Sequence, residues 1–293
     1  MMMKFKEKIE KLKAYLYFYI HGAKLSKEQE EKRKHWIYYI YLKKRYGRFL
    51  NNLKKRKNTN KFCDKVWWCW LQGEENAPDI NKACLNSLRK NLKNRDIIVI
   101  TEDNYSEYVT LPQYIISKYK RKIITKTHFS DILRLALLVK YGGTWIDSSV
   151  LCTKYDEDLF DKNLFVYQNW KKGDEAIALS SWFITSEKEN PILVDTLELL
   201  YKYWKEHNFL IHYFLMHFLF TLAITKYPEQ WNQVNRFSNL PPHILQFEIL
   251  NEYNENRFRQ IEKMSSFHKL NQKMNFKEAN EKSNYKYILK KYL

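Results

Sequence analysis

HFSDILRLALLVKYGGTWIDSS, residues 128–149, reads as a helix that ends on a glycine pair and passes into a short strand closed by a carboxylate. From Ile132 to Val139 only Arg134 breaks the apolar run, so most of this helix is expected to be covered. Thr127 or Ser130 is the expected cap, and Gly142-Gly143 the stop. Asp131 and Arg134 are three apart and share a helical face, which in such apolar company is not fully in water. Thr144-Trp145-Ile146-Asp147 is the strand, and Asp147 stands at its C-terminal end, the side on which open α/β sheets take their ligands. The glycine pair is expected to let backbone approach a bulky ligand closely. An ion pair on a core helix followed by an ordinary turn accounts for each piece singly; their order and spacing together point to a site.

Upstream, Val66-Trp67-Trp68-Cys69-Trp70-Leu71 is a continuous apolar run, as a buried strand requires. A loop through Gln72-Gly73 and a helix from about Pro78 to Leu92 lead to a second buried strand, Asp96 to Thr101. Strand, helix-length crossover and strand imply a parallel α/β sheet. Downstream, strands are expected near Leu164–Gln168 and Ile177–Thr185. Helices are expected from about Pro191 to Lys205 and from Leu210 to Ile224, and a polar, basic tail, 271–293, reads as loosely held.

The 293 residues carry a formal net charge of +18, and residues 1–61 supply +14 of it, with 19 Lys and Arg against 5 Asp and Glu. This head reads as two helices. Phe5, Ile9, Leu12, Leu16 and Tyr19 form a stripe on the first, and the second runs from about Glu28 to Leu53 before a linker at Asn58-Thr59-Asn60. The expected division is therefore 1–60, a basic helical extension, and 61–293, the α/β domain. Three uses of the head are compatible with its composition: a helical pair packed on the main domain, an anchor through residues 1–57 on an anionic membrane surface, or nucleic-acid binding. No nucleic-acid motif accompanies the charge, so no nucleic-acid partner is expected. The basic start is followed by no apolar signal segment, and no stretch approaches the roughly 20 apolar residues of a spanning helix. The four cysteines, Cys63, Cys69, Cys84 and Cys152, show no C-x-x-C spacing and suit a reduced compartment. A cytoplasmic protein, peripheral on the inner membrane face, is the expectation.

The block Ser130-Asp131-x-x-Arg134, a helix, then Gly142-Gly143-x-Trp145-x-Asp147-x-Ser149 resembles the capsular polysaccharide synthesis glycosyltransferases. It is more distantly similar to mannosyltransferases with a DXD-containing sugar region and to the glucosyltransferase domain of large clostridial toxins. Val66 to Gly73 with Ala77-Pro78, Leu111-Pro112-Gln113-Tyr114-Ile115, His212-Tyr213-Phe214 with His217, and Ser266-Phe267-His268-Lys269-Leu270 look like weaker landmarks, and the resemblance covers roughly residues 62–275. It implies a GT-A fold, an α/β domain with a mixed, mainly parallel sheet that binds a nucleoside-diphosphate sugar. Trp70 then matches the aromatic that stacks on the base, with Gln72 and Gly73 beside it. Asp131 and Arg134 match the pair that holds donor sugar hydroxyls, flanked by Gly142 and Gly143. Asp147 matches the first Asp of the DXD signature. The second, metal-binding Asp is replaced by Ser149, a much poorer ligand for the hard cations Mn²⁺ or Mg²⁺. The resemblance leaves Asp147, Ser149 and His268 as the metal set, with Lys269 as the cation that takes over the diphosphate charge if metal is absent.

The reaction that this resemblance implies is transfer of a hexosyl group from a UDP-sugar to a lipid-linked capsular or surface saccharide, with retention of configuration. Asp131, Arg134 and Asp147 are the catalytic candidates. The alternatives are a degenerate nucleotide-sugar-binding scaffold, kept open by Ser149, and a basic nucleic-acid-binding protein. Other chemistries lack their signatures: there is no G-x-S-x-G, Walker loop or G-x-G-x-x-G. His207, His212 and His217 are five apart and do not share a helical face as zinc ligands would. Asp156-Glu157-Asp158 with Asp161 reads as a solvated turn.

Overall fold

A computed structural model describes residues 9–10, 12–13, 26–169 and 174–293. Most of the apolar stripe of the first head helix, Phe5, Leu16 and Tyr19 included, lies outside the described residues. A six-stranded sheet has the order β2-β1-β3-β6-β5-β7, where β1 is Lys65–Cys69, β2 Asp96–Ile100, β3 Gly143–Ile146, β5 Leu164–Gln168, β6 Ser180–Ser186 and β7 Phe237–Ser238. The pairs β2/β1, β1/β3 and β5/β7 are parallel, while β6 runs antiparallel to both β3 and β5. The sheet is thus mixed and mainly parallel, as the strand–helix–strand opening implies. Every residue from Val66 to Cys69 is buried, which is why that run carries no polar alternation.

The helix after β1 is Asp79–Asn91, here α2. The helix that decides the fold is Lys126–Tyr141, here α5, preceded by the short α3 (Tyr105–Tyr108) and α4 (Gln113–Lys120). It begins a little earlier than expected, because Thr125 is the cap and its hydroxyl accepts from the His128 amide at 3.4 Å. Gly142 ends it with φ +77°.

The second helix of the head, α1, is Lys27–Asn52, closed at its start by a capping box between Ser26 and Gln29. Leu42, Tyr46 and Leu50 on α1 are at most 1% exposed, and they share one apolar core with Trp67, Leu133 and Phe218. α1 packs against α6 (Pro191–Glu206) and α7 (Leu215–Ile224). The expected boundary at residue 60 therefore does not divide the packing. The helix needed an apolar face and found it on the α6–α7 layer, while Lys43, Lys44, Arg45 and Arg48 stay exposed. Glu10, next to Ile9 of the first stripe, is buried and accepts a hydrogen bond from Tyr41 of α1.

A second, two-stranded sheet pairs β4 (Val150–Cys152) antiparallel with β8 (Phe267–Lys269). The short α8 (Pro228–Asn232) precedes β7, and α9 (Leu240–Glu248) and α10 (Glu255–Met264) lie between β7 and β8. The tail is not loose: α11 (Asn284–Tyr292) packs on α2, with Ile288 and Tyr292 in an apolar cluster beside Ile80 and Cys84. None of the four cysteines is disulfide-bonded. No helix among the described residues is long and apolar enough to cross a membrane.

Candidate functional site

The C-terminal ends of β1 and β3 open into a cavity of about 520 Å³. Trp70 and Gln72 reach it from the turn after β1, Asp131 and Arg134 from α5, Asp147 and Ser149 from the turn between β3 and β4, and Lys269 from β8. Most of the donor-site candidates named from the sequence thus converge although they span 200 positions of the chain.

Arg134 is the hinge of the arrangement. One guanidinium nitrogen donates to Asp131 Oδ1 at 2.6 Å and another to Asp147 Oδ1 at 3.1 Å. The guanidinium lies 4.8 Å from the centre of the Trp145 ring, a cation–π contact. The Trp145 indole N–H donates to Asp147 Oδ1 at 2.8 Å. Asp131 is 6% and Arg134 4% exposed, so neither charge is left to solvent, and breaking the pair would strand the other. Asp131 also lies 3.4 Å from His128 Nδ1.

Lys269 completes the group. Its ammonium donates to Asp147 Oδ2 at 3.1 Å and to Ser149 Oγ at 2.6 Å. The β4–β8 pairing puts it there: Val150 is its register partner, and the Leu270 amide donates to the Ser149 carbonyl at 2.8 Å. Burial pushes the Asp147 carboxyl upward, but Lys269 and Arg134 outweigh it and hold the group at about 2. For Asp131 too, burial is opposed by Arg134 and the His128 hydrogen bond, and the net shift is downward.

Four candidates are placed elsewhere. His268 is fully buried and does not line the cavity, because successive strand residues point to opposite faces and Lys269 takes the cavity side. Its Nε2 meets Thr153 Oγ1 at 3.3 Å, and burial pushes its imidazole down to about 4. The glycine pair is also outside the cavity. A Cβ on Gly142 would fall 2.7 Å from the Lys188 nitrogen, and one on Gly143 2.4 Å from the Lys65 carbonyl oxygen. The close approach these glycines permit is that of neighbouring backbone, not of a ligand. Gly73, at φ +91°, serves the turn after Trp70 and does not line this cavity.

The donor set does not fit a divalent cation. Asp147 supplies one carboxylate already shared by Arg134, Trp145 and Lys269, Ser149 supplies a hydroxyl, and the Lys269 ammonium spans the two where a cation would stand. Among the described residues no group of three or more His, Cys, Asp or Glu side chains could hold a metal.

The structure adds residues that the sequence reading left unassigned. Lys126 and Lys273 bring two further cations to the cavity, and Tyr213, His217, His243 and Gln246 form its far wall. Burial pushes His217 down to about 4, which keeps it neutral at neutral pH. Tyr213 and His217 stood only as landmarks, since five-residue spacing argued against zinc and nothing else singled them out. The acidic loop behaves as a turn, with Asp161 bound by Arg95 at 2.6 and 2.8 Å.

The family model described as capsular polysaccharide synthesis protein matches residues 19–288. No curated protein matches the chain. Among solved structures, one titled PaToxG Glycosyltransferase is distantly similar, at 18% identity and a TM-score of 0.41, over 87% of this chain and 96% of that one.

Proposed function

This chain belongs to the capsular polysaccharide synthesis protein family, and from that premise we propose that it is a glycosyltransferase moving a hexosyl group from a UDP-sugar to a lipid-linked capsular or surface saccharide. One observation carries the reading: a strand-end carboxylate, Asp147, is fixed between Arg134 and Lys269 in a cavity whose rim bears Trp70. Trp70 offers a ring to the base. Asp131 and Arg134 hold donor sugar hydroxyls, and Asp147 orients the ribose and sugar beside the diphosphate. Lys269, with Lys126 and Lys273, neutralises the charge that grows on the diphosphate as it leaves. No step is routed through a metal.

The proposed transfer retains configuration. The bond from the anomeric carbon to the diphosphate oxygen breaks, the acceptor oxygen bonds to that carbon on the same face, and the acceptor proton passes to the departing phosphate oxygen. Asp147, held at about 2, is too weak a base to take that proton. Ser149 in place of a second carboxylate favours one further reading, a scaffold that binds nucleotide-sugars without turning them over.

Incubation with a panel of UDP- and GDP-sugars, read by nucleotide release and thermal stabilisation, tests both. Stabilisation by UDP with sugar-dependent release supports the transferase. Stabilisation without release supports the scaffold. Neither effect with any nucleotide sinks both.

The acceptor's lipid carrier places the work at a membrane, and the head is the proposed contact with its anionic surface. Lys43, Lys44 and Arg48 on α1 and Lys54, Lys55 and Lys57 just beyond its end are exposed, and Trp36 of α1 is 45% exposed. Each such cation adds roughly 1 kcal/mol near an anionic leaflet. Binding to phosphatidylserine vesicles that weakens with salt, and none to phosphatidylcholine vesicles, is expected; equal binding to both refutes the contact.

A further inference from the structure

A second cavity, of about 370 Å³, adjoins the first and shares Asp147, Lys269, Tyr213, His217 and His243 with it. Its described lining differs. Beyond the shared Asp147 and Lys269, the first cavity carries Lys126, Arg134 and Lys273 against Asp131 alone, a balance that suits a diphosphate. The described lining of the second includes Glu31 and Asp174. Trp182, Tyr213 and Phe214 supply aromatic surface to it. At its wall, His35 of α1 lies with Nδ1 2.9 Å from Asp174 Oδ2, and both side chains are nearly inaccessible. The other oxygen, Asp174 Oδ1, is buried without a hydrogen-bond partner. An acceptor atom in that state is costly unless a donor arrives.

We propose that this second cavity is the acceptor subsite, that it takes a pyranose ring against its aromatic faces, and that Asp174, steadied by His35 of the N-terminal helix, receives one of its hydroxyls. The inference rests on the glycosyltransferase reading of the adjoining cavity. Aromatic faces with a carboxylate acceptor are a chemistry for pyranose rings, whose C–H faces stack while their hydroxyls donate. The subsite also gives α1 a purpose beyond packing, because Glu31 and His35 bring the N-terminal helix into the second cavity.

The test uses the full chain saturated with UDP and a panel of methyl glycosides, the glucoside, galactoside, N-acetylglucosaminide and glucuronide, followed by saturation-transfer NMR. At least one of the glycosides should bind. Asp174→Asn, which keeps the volume and removes the charge, should weaken that binding about tenfold, the order of one lost hydrogen bond to a charged group. UDP affinity should stay unchanged in Asp174→Asn. Tyr213→Ala, at an exposed position of the same lining, provides a second variant should Asp174→Asn fail to fold, and loss of its ring should also weaken glycoside binding. Binding of no glycoside by the wild type, or undiminished binding in Asp174→Asn, would overturn the proposal. Loss of UDP binding by the wild type would instead bring down the reading on which it rests.

Discussion

Lys269→Met removes one positive charge and keeps most of the side-chain length. In the resting site Lys269 donates to Asp147 and Ser149, and its side chain is 21% exposed, so water screens it only in part. A hydrogen bond to a charged group contributes about 1.5–3 kcal/mol. Full Coulomb attraction at 4 Å would give about 4 kcal/mol at an effective dielectric of 20. Partial exposure, and the competing cations Lys126 and Lys273, place the loss in the lower range. UDP affinity should therefore fall roughly 10- to 150-fold, since each tenfold is about 1.4 kcal/mol. Asp147 keeps Arg134 and Trp145, so the variant should still fold. Isothermal titration with UDP in EDTA is the assay. Wild-type binding should survive the chelator, the variant should bind weakly, and the double variant Ser149→Asp with Lys269→Met should recover affinity only with Mn²⁺. Equal affinities for wild type and Lys269→Met, or wild-type binding abolished by EDTA, would refute the assignment of the diphosphate charge to this lysine.

Other outcomes rest on the same geometry. Asp147→Asn should abolish nucleotide release and also flatten the acid limb of stability. The carboxyl sits at about 2 when folded against an ordinary 3.8, so its roughly 2 kcal/mol is present above pH 4 and lost as pH falls to about 2; denaturant midpoints across that window check it. His268, held at about 4 against 6.5, must stay neutral when folded, so stability drops by roughly 3 kcal/mol as pH falls from 6.5 to 4 and the unfolded chain takes the proton first. His268→Gln should remove that drop, without touching UDP affinity, since His268 does not face the cavity. Gly143→Ala forces a Cβ to 2.4 Å from the Lys65 carbonyl at φ +87° and should cost at least about 2 kcal/mol, visible as a lower Tm. A chain beginning at Asn60 loses Leu42, Tyr46 and Leu50 from the core, at about 1.5–3 kcal/mol each, and should show no cooperative unfolding transition.

Legibility in the sequence tracked the range of the forces involved. The α5–β3 passage was readable because its signals are local: an apolar run, a cap, a glycine stop and a carboxylate fixed at the strand end. Even there the cap moved to Thr125, since Thr125, Thr127 and Ser130 all carry hydroxyls and only the backbone decides which lies beside a free amide. The glycine pair was found but given the wrong neighbour, because a positive φ tells that something is close and not what. His268 and Lys269 show the same limit one residue apart. A landmark names both, and only the pairing of β8 with β4, more than a hundred residues upstream, decides which of the two faces the cavity.

The head was the hardest part to read, for a physical reason. Its charge is conspicuous and its packing is not. The stripe of His35, Ile37, Tyr39, Leu42, Tyr46 and Leu50 is diluted by aromatic and basic neighbours, so the helix is amphipathic by burial more than by composition. Once α1 is docked, the same helix bears cations on its outer surface and His35 and Glu31 at the second cavity. The family match beginning at residue 19 includes it, as expected if helix and cavity are one unit. An exposed face for an anionic membrane and an inner wall for the acceptor, carried by a single helix, would hold the second cavity close to the surface where a lipid-linked saccharide is found.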